Sequence, residues 1–297
     1  MFGLSLLDQY FRQPRDRRRV IQATQMQSYL SLLPDLDQIA PRADQLFAKQ
    51  GVDVGPSLNL QRDRQIALLR QLAAFYPDFD WPDERDDQRR FYLNNGTFLA
   101  ADALSLHALL RHFRPNQVVA VTPGYAAALM LDVNDRHFPQ PIGFTFIDPE
   151  PERLAGPLHV GDQSRFRLLP ANVQDVPADI FDSLKENDFL FVDSSHISKT
   201  GSDVNHLVFE VLPRLSPGVI VHFHDIMWPF EYPRNWVQQG RAFNESYLVR
   251  AFLQYNSVFQ ILLFNNYAGY CLTDLVRELM PRFLENKGGS LWLQKAV

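Results

Sequence analysis

The sequence predicts an α/β fold: a doubly wound, mostly parallel sheet of seven strands, preceded by a helical extension. Three observations carry this expectation. Short apolar runs rich in β-branched and aromatic residues recur from residue 117 onward, amphipathic helical stretches alternate with them, and the first 90 residues hold no convincing strand. Strands that are apolar throughout and separated by helices belong in a parallel sheet covered on both faces.

The elements follow in order. Residues 1–90 read as a helical extension in which Ile66, Leu69, Ala73 and Tyr76 recur on one helical face. The stretch from Tyr76 through Asp87, with Pro77, Pro82 and six acidic residues, reads as a linker or cap edge. Residues 91–297 form the sheet domain. Leu99, Ala103, Leu106, Leu110 and Phe113 make a helical stripe stopped by Pro115. Strands are expected at 117–122, 143–148, 165–169, 188–193 and 218–225, with closing strands at 259–264 and 290–294. Between the fourth and fifth, Val204, Leu207, Val208, Val211 and Leu212 form a helical face, with Ser202 as its N-cap.

Composition narrows the function classes. With 297 residues, 46% of them hydrophobic, the chain supports a substantial core. A net charge of −5 argues against a dedicated nucleic-acid binder. A single cysteine, Cys271, excludes a disulfide framework and fits a reducing compartment. No apolar run is long enough to span a bilayer. The apolar stretch Met1–Leu7 precedes the basic cluster Arg15, Arg17, Arg18 and Arg19, the reverse of a secretory signal, so a cytoplasmic protein is expected.

A parallel sheet binds ligands at the carboxyl ends of its strands, where the strand order reverses. The predicted ends are Thr122-Pro123-Gly124, Asp148, Asp175, Asp193 and Asp225, and four of the five carry a carboxylate. Neither a G-x-G dinucleotide fingerprint nor a P-loop is present. A row of acids repels pyrophosphate but suits ribose hydroxyls, an adenine amino group, or the sulfonium and ammonium of S-adenosylmethionine (SAM). That favours methyl transfer over hydride or phosphoryl transfer.

Several segments strengthen this reading: Phe146-Ile-Asp-Pro-Glu-Pro-Glu-Arg-Leu154, Asn172-Val-Gln-Asp-Val-Pro177, Asp193-Ser-Ser-His196, Val221-His-Phe-His-Asp-Ile226, Phe230-Glu-Tyr-Pro233 and Arg241-Ala-Phe-Asn-Glu-Ser-Tyr247. Over roughly residues 90–297 the chain resembles a bacterial branch of the class I, Rossmann-like, SAM-dependent methyltransferases. The resemblance implies that Gly124 and Tyr125 form the turn under the cofactor, that Asp148 accepts from the ribose hydroxyls, and that Asp175 lies near the adenine amino group. Asp193-Ser-Ser-His196 resembles the Asp-x-x-His of metal-dependent sugar O-methyltransferases, which implies Mg²⁺ held by Asp193 and Asp225, with His196 as base. The implied acceptor is a small-molecule or sugar hydroxyl. A hard cation lowers a hydroxyl's pKa, and a histidine of intrinsic pKa ~6.5 takes its proton.

One segment departs from the family. Where members carry a Glu-x-Gly-x-Gly-like turn, this chain has Ala120-Val-Thr-Pro-Gly124. Thr122 brings a side chain and Pro123 removes an N–H donor. A catalytically degenerate binding or assembly protein is therefore the alternative expectation, and a metal-dependent enzyme of another class on the same sheet, such as a hydroxylase, is a third. Of the remaining features, His222 and His224 are expected to pack on the sheet face and Asn94–Thr97 to form a turn. Trp228, Phe230, Tyr232 and Trp236 are candidate stacking groups, and Arg241 with Glu245 reads as a surface pair at i, i+4 spacing.

Overall fold

A computed structural model describes residues 31–297 except 157 and 160, so Met1–Leu7 and the basic cluster at 15–19 lie outside the described residues. The chain divides into two compact units, Met1–Ala48 with Tyr232–Phe243, and Lys49–Glu231 with Asn244–Val297. In the described part of the first, short helices span Leu36–Ile39, Ala43–Leu46 and Arg234–Gln238. The Asp35 carboxylate caps the first by accepting from the Asp37 and Gln38 amides. Tyr232, Trp236 and Phe243 pack together in the same unit, and the Arg241 guanidinium lies 4.4 Å from the Trp236 ring centre.

The second unit holds the sheet. Its main elements in chain order are α1 (Arg62–Leu72), α2 (Ala100–Phe113), β1 (Gln117–Val121), α3 (Gly124–His137), β2 (Gly143–Ile147), β3 (Phe166–Leu169), β4 (Phe189–Val192), α4 (Asp203–His206), β5 (Ile220–Phe223), α5 (Glu245–Leu253), β6 (Phe259–Phe264) and β7 (Leu291–Lys295). Seven strands align in the order β3-β2-β1-β4-β5-β7-β6. β1 pairs in parallel with β2 and β4, β2 with β3, and β4 with β5. β7 inserts antiparallel between β5 and β6. The expected α/β, doubly wound, seven-stranded sheet is therefore present.

Local chemistry explains the boundaries. β1, β4 and β5 are buried along nearly their whole length, as their apolar sequences require. Asp188 Oδ1 accepts from the Asn116 and Gln117 amides at 2.9 Å each, which ties the start of β1 to the start of β4. α2 ends where Arg114 adopts φ 50° and Pro115 follows. Ser202 caps α4 by accepting from the Asn205 amide at 3.2 Å, and the helix continues through a π turn over Leu207–Val211.

The acidic stretch before the sheet, expected as a linker or cap edge, is held by packing and ion pairs. Trp81 is buried, Asp78 pairs with Arg111 at 2.6 Å and Asp80 with Arg136. Immediately after it Arg90 enters the interior. Its guanidinium donates to Asp162 at 2.7 Å through Nε and again through a second nitrogen, to Asp132 at 2.6 Å and to Asp135 at 3.0 Å. Asp132 also accepts from the Arg90 and Phe91 amides, so the segment leading into α2 is fastened to α3.

Candidate active site

Strand order reverses between β1 and β4, and a cavity of about 250 Å³ opens there at the strand carboxyl ends. Thr122, Pro123, Gly124 and Tyr125 line it from the β1–α3 turn, and Asp148 from the end of β2. Asp193 and His224 close it from the ends of β4 and β5, and Thr97 and Phe98 from the segment before α2. Asp148 is fully buried, and its Oδ1 accepts from the Glu150 amide at 2.8 Å. Asp175 sits elsewhere, exposed on the short turn after β3, where its carboxylate accepts from the Asn172 side chain at 3.1 Å. It does not line the cavity.

The altered turn keeps a glycine-like path. Thr122 has φ 49° and Gly124 φ 48°, with Pro123 at −73° between them. Left-handed backbone at a β-branched residue costs on the order of 1–2 kcal/mol. Beyond its chain neighbours and its own helix backbone, no atom lies within 4 Å of where a Cβ on Gly124 would stand, so the space above the turn is open. α3 begins here; its Ala126 amide donates to the Pro123 carbonyl at 2.9 Å, so the Gly124 and Tyr125 amides are the ones that precede the first intrahelical bond. The Tyr125 hydroxyl lies 3.0 Å from that of Tyr92, a contact that, with burial, pushes the Tyr125 phenol up. Asn94–Thr97 forms a turn, as its Asn-Gly signal predicts: Asn95 Oδ1 accepts from the Thr97 and Phe98 amides at 3.0 and 2.8 Å.

Beside the cavity lies a second constellation. His196, φ 59°, follows β4, and Asp225, φ 57°, follows β5. The Nε2 of His196 stands 3.3 Å from Asp193 Oδ1 and 3.5 Å from Asp225 Oδ2. Its Nδ1 is 2.9 Å from Glu245 Oε2. Ser194 Oγ donates to the other Glu245 oxygen at 2.9 Å and accepts from the His196 amide at 3.0 Å. Burial disfavours the imidazolium, but the bonds to Asp193 and Glu245 outweigh it and hold the His196 pKa well above its usual value. Burial also raises the Asp225 carboxyl, an effect that His224 and His196 only partly offset.

The contacts of Glu245 are not legible in the sequence, although its segment Arg241–Tyr247 is among those that carry the resemblance. The expected surface pair with Arg241 is not what forms: the Glu245 side chain is 1% exposed and spends both oxygens on His196 and Ser194. Nothing at i, i+4 spacing signals this, because the contact joins residues 49 apart. The two strand histidines also divide. His222 packs as expected, stacked on Phe191 at 3.8 Å, with Nε2 2.9 Å from Ser290 Oγ. His224 instead lines the cavity, and the charges of Asp193 and Asp225 raise its pKa against burial. Trp228 and Phe230 are buried against Phe264, so they offer no face for stacking a ligand.

The donor set does not fit the expected magnesium ion. Among the described residues no group of three His, Cys, Asp or Glu side chains is disposed to hold a metal. Mg²⁺ demands near-octahedral oxygen ligands at ~2.0–2.1 Å, whereas here the edge of the His196 ring stands between Asp193 and Asp225.

Residues 96–226 match a protein-family model described as a methyltransferase domain. An uncharacterized protein of Archaeoglobus fulgidus is 26% identical over 163 residues, spanning 54% of this chain and 72% of that protein. Similar solved structures include one described as the CmcI-N160 apo-structure, at 15% identity and TM-score 0.43, covering 74% of this chain and 86% of that one. Another is the Podospora anserina methyltransferase PaMTH1 bound to S-adenosylhomocysteine (SAH), at 13% identity and TM-score 0.40, covering 90% and 99%. A third is the O-methyltransferase TomG from Streptomyces achromogenes in complex with SAM, at 13% identity and TM-score 0.38, covering 86% and 96%. No helix among the described residues is long and apolar enough to cross a membrane.

Proposed function

From the match of residues 96–226 to a methyltransferase domain, we propose that this chain is a class I SAM-dependent enzyme that methylates a hydroxyl of a small or glycosidic acceptor, with no metal assistance. One observation carries the reading. Gly124, Tyr125, Asp148 and Asp193, separated widely in sequence, line a single cavity at the point where the strand order reverses, with His196 beside Asp193.

The residues divide by chemistry. The Asp148 carboxylate suits a pair of ribose hydroxyls, and the open backbone at Gly124 together with the Gly124 and Tyr125 amides suits the amino-acid carboxylate. SAM, when bound, supplies an electrophilic methyl group on a sulfonium. Asp193 and Asp225 orient the acceptor hydroxyl, and His196 Nε2 takes its proton as oxygen forms its bond to the methyl carbon and the carbon–sulfur bond breaks. Three carboxylates around His196 stabilise the imidazolium that results. The same charges make neutral His196 a stronger base and populate it only as pH rises, so turnover is expected to climb with pH through the neutral range.

Calorimetry on the full chain tests the reading. SAM and SAH are expected to bind, and SAH release with a panel of hydroxyl acceptors is expected to persist in EDTA. Absence of binding to both at millimolar concentration would overturn it. Thr122 and Pro123 favour the second reading, a degenerate domain that binds without turnover. Binding without release across the panel would select that one. Operation in the cytoplasm belongs to the same proposal and rests on the lone, unpaired Cys271.

A further inference from the structure

Glu245 differs from the other carboxylates around His196 in what it can reach. Side-chain exposure is 30% for Asp193 and 20% for Asp225, so both can meet an acceptor, whereas Glu245 at 1% cannot. A carboxylate is buried this deeply only when its partners compensate the lost water. Its partners are His196 Nδ1 and Ser194 Oγ, each at 2.9 Å. The backbone repeats the attachment: the amides of Asn244 and Glu245 donate to the His196 carbonyl at 2.9 and 3.2 Å. The start of α5 therefore grips both the main chain and the ring of one histidine held at φ 59°.

A neutral imidazole has two tautomers, and its ring can sit in two flipped orientations. Carboxylates face both ring nitrogens, but Glu245 stands 2.9 Å from Nδ1 while Asp193 is 3.3 Å and Asp225 3.5 Å from Nε2. In the neutral ring the shorter contact keeps the proton on Nδ1 and leaves Nε2 to the rim. We propose that Glu245 is the positioning residue of the acceptor site, fixing the His196 ring through Nδ1 so that Nε2 faces the acceptor hydroxyl. The proposal deepens the methyl-transfer reading and rests on it for the role of Nε2. It moves no proton from Glu245 and makes no covalent bond to it.

The test reads the ring directly. In the ¹⁵N-labelled full chain, long-range ¹H–¹⁵N correlation reports each histidine nitrogen, with His196 assigned by its loss in His196→Asn. Nδ1 is expected to carry a proton far downfield in the wild type and in Ser194→Ala. Glu245→Gln is expected to move that proton upfield as the charge-assisted bond is lost, with SAH affinity unchanged. A wild-type Nδ1 without a proton, or a resonance that Glu245→Gln leaves in place, overturns the proposal. Should Glu245→Gln fail to fold, the wild-type and Ser194→Ala spectra decide it by the same criterion. A wild type that binds no SAH overturns the methyltransferase reading instead, and the histidine spectrum still reports on Glu245.

Discussion

Two clusters of buried charge sit in the sheet unit, one around Arg90 and one around His196, and they are built on opposite principles. Arg90 faces Asp132, Asp135 and Asp162 with a guanidinium that donates from all three of its nitrogens, and backbone amides fill further acceptor sites on Asp132 and Asp162. Arg165 joins at Asp135. No residue of this cluster has a positive φ. His196 meets as many carboxylates with a ring that has only two nitrogens to offer, and both it and Asp225 are left-handed. A saturated cluster on relaxed backbone has nothing left to offer a ligand, so it fastens the fold. An undersaturated one on strained backbone is stable only because surrounding structure enforces it, which is how reactive sites are built.

Three substitutions or conditions sharpen this contrast. The largest effect is expected from Arg90→Ala, which strands buried carboxylates and should cost about 3–5 kcal/mol in a urea titration while leaving SAH affinity of the folded fraction intact. A loss below ~1 kcal/mol would place Arg90 among surface ion pairs and dissolve the distinction.

A third buried group, His107, sets the acid limit of the fold. Burial, then the charges of Arg111, His137 and Arg136, push its pKa down to about 3, with Asp78 opposing. Trp81 Nε1 donates to its Nδ1 at 3.3 Å. The unfolded chain, at ~6.5, therefore binds a proton that the folded chain refuses between those values, and stability falls as pH drops through that window. Between pH 7 and pH 5 the loss is expected to be ~2 kcal/mol, read from urea midpoints, and His107→Leu should flatten the slope. A slope unchanged in that variant would assign the acid limb elsewhere.

The smallest effect has the opposite sign. Burial raises the Asp225 carboxyl, so at neutral pH its ionised form weighs against folding. Asp225→Asn is expected to raise stability by ~0.5–2 kcal/mol, visible as a higher Tm, and to abolish methyl transfer. Destabilisation by this substitution would show that the His196 cluster is structural after all.

The sheet was legible because its signal is local. Continuous apolar runs at Gln117–Val121, Gly143–Ile147 and Phe189–Val192 can be buried on both faces only in a parallel sheet, and helix stops such as Pro115 and the Ser202 cap act within a few residues. The acids at the strand ends were legible for the same reason, since chain direction fixes which end of each strand faces the reversal of order. Contacts between distant residues are not legible in this way. Asp175 follows β3, which lies two strands from the reversal, and its side chain is exposed. Glu245 was paired by helical spacing with Arg241, because spacing cannot register a contact across 49 residues. Nor does sequence spacing show that His196 Nε2 stands 3.3 and 3.5 Å from the two carboxylates expected to hold magnesium, Asp193 and Asp225.

Amino-acid order by itself determined the α/β class, the strands and the rim of acids, since periodicity, β-branching and capping act over a handful of residues. Only the tertiary structure decided which acids share a site and what stands between them. Separations of a few ångströms between residues tens of positions apart follow from strand order and helix docking, and with them come burial, the displaced pKa values and the contrast between the Arg90 and His196 clusters.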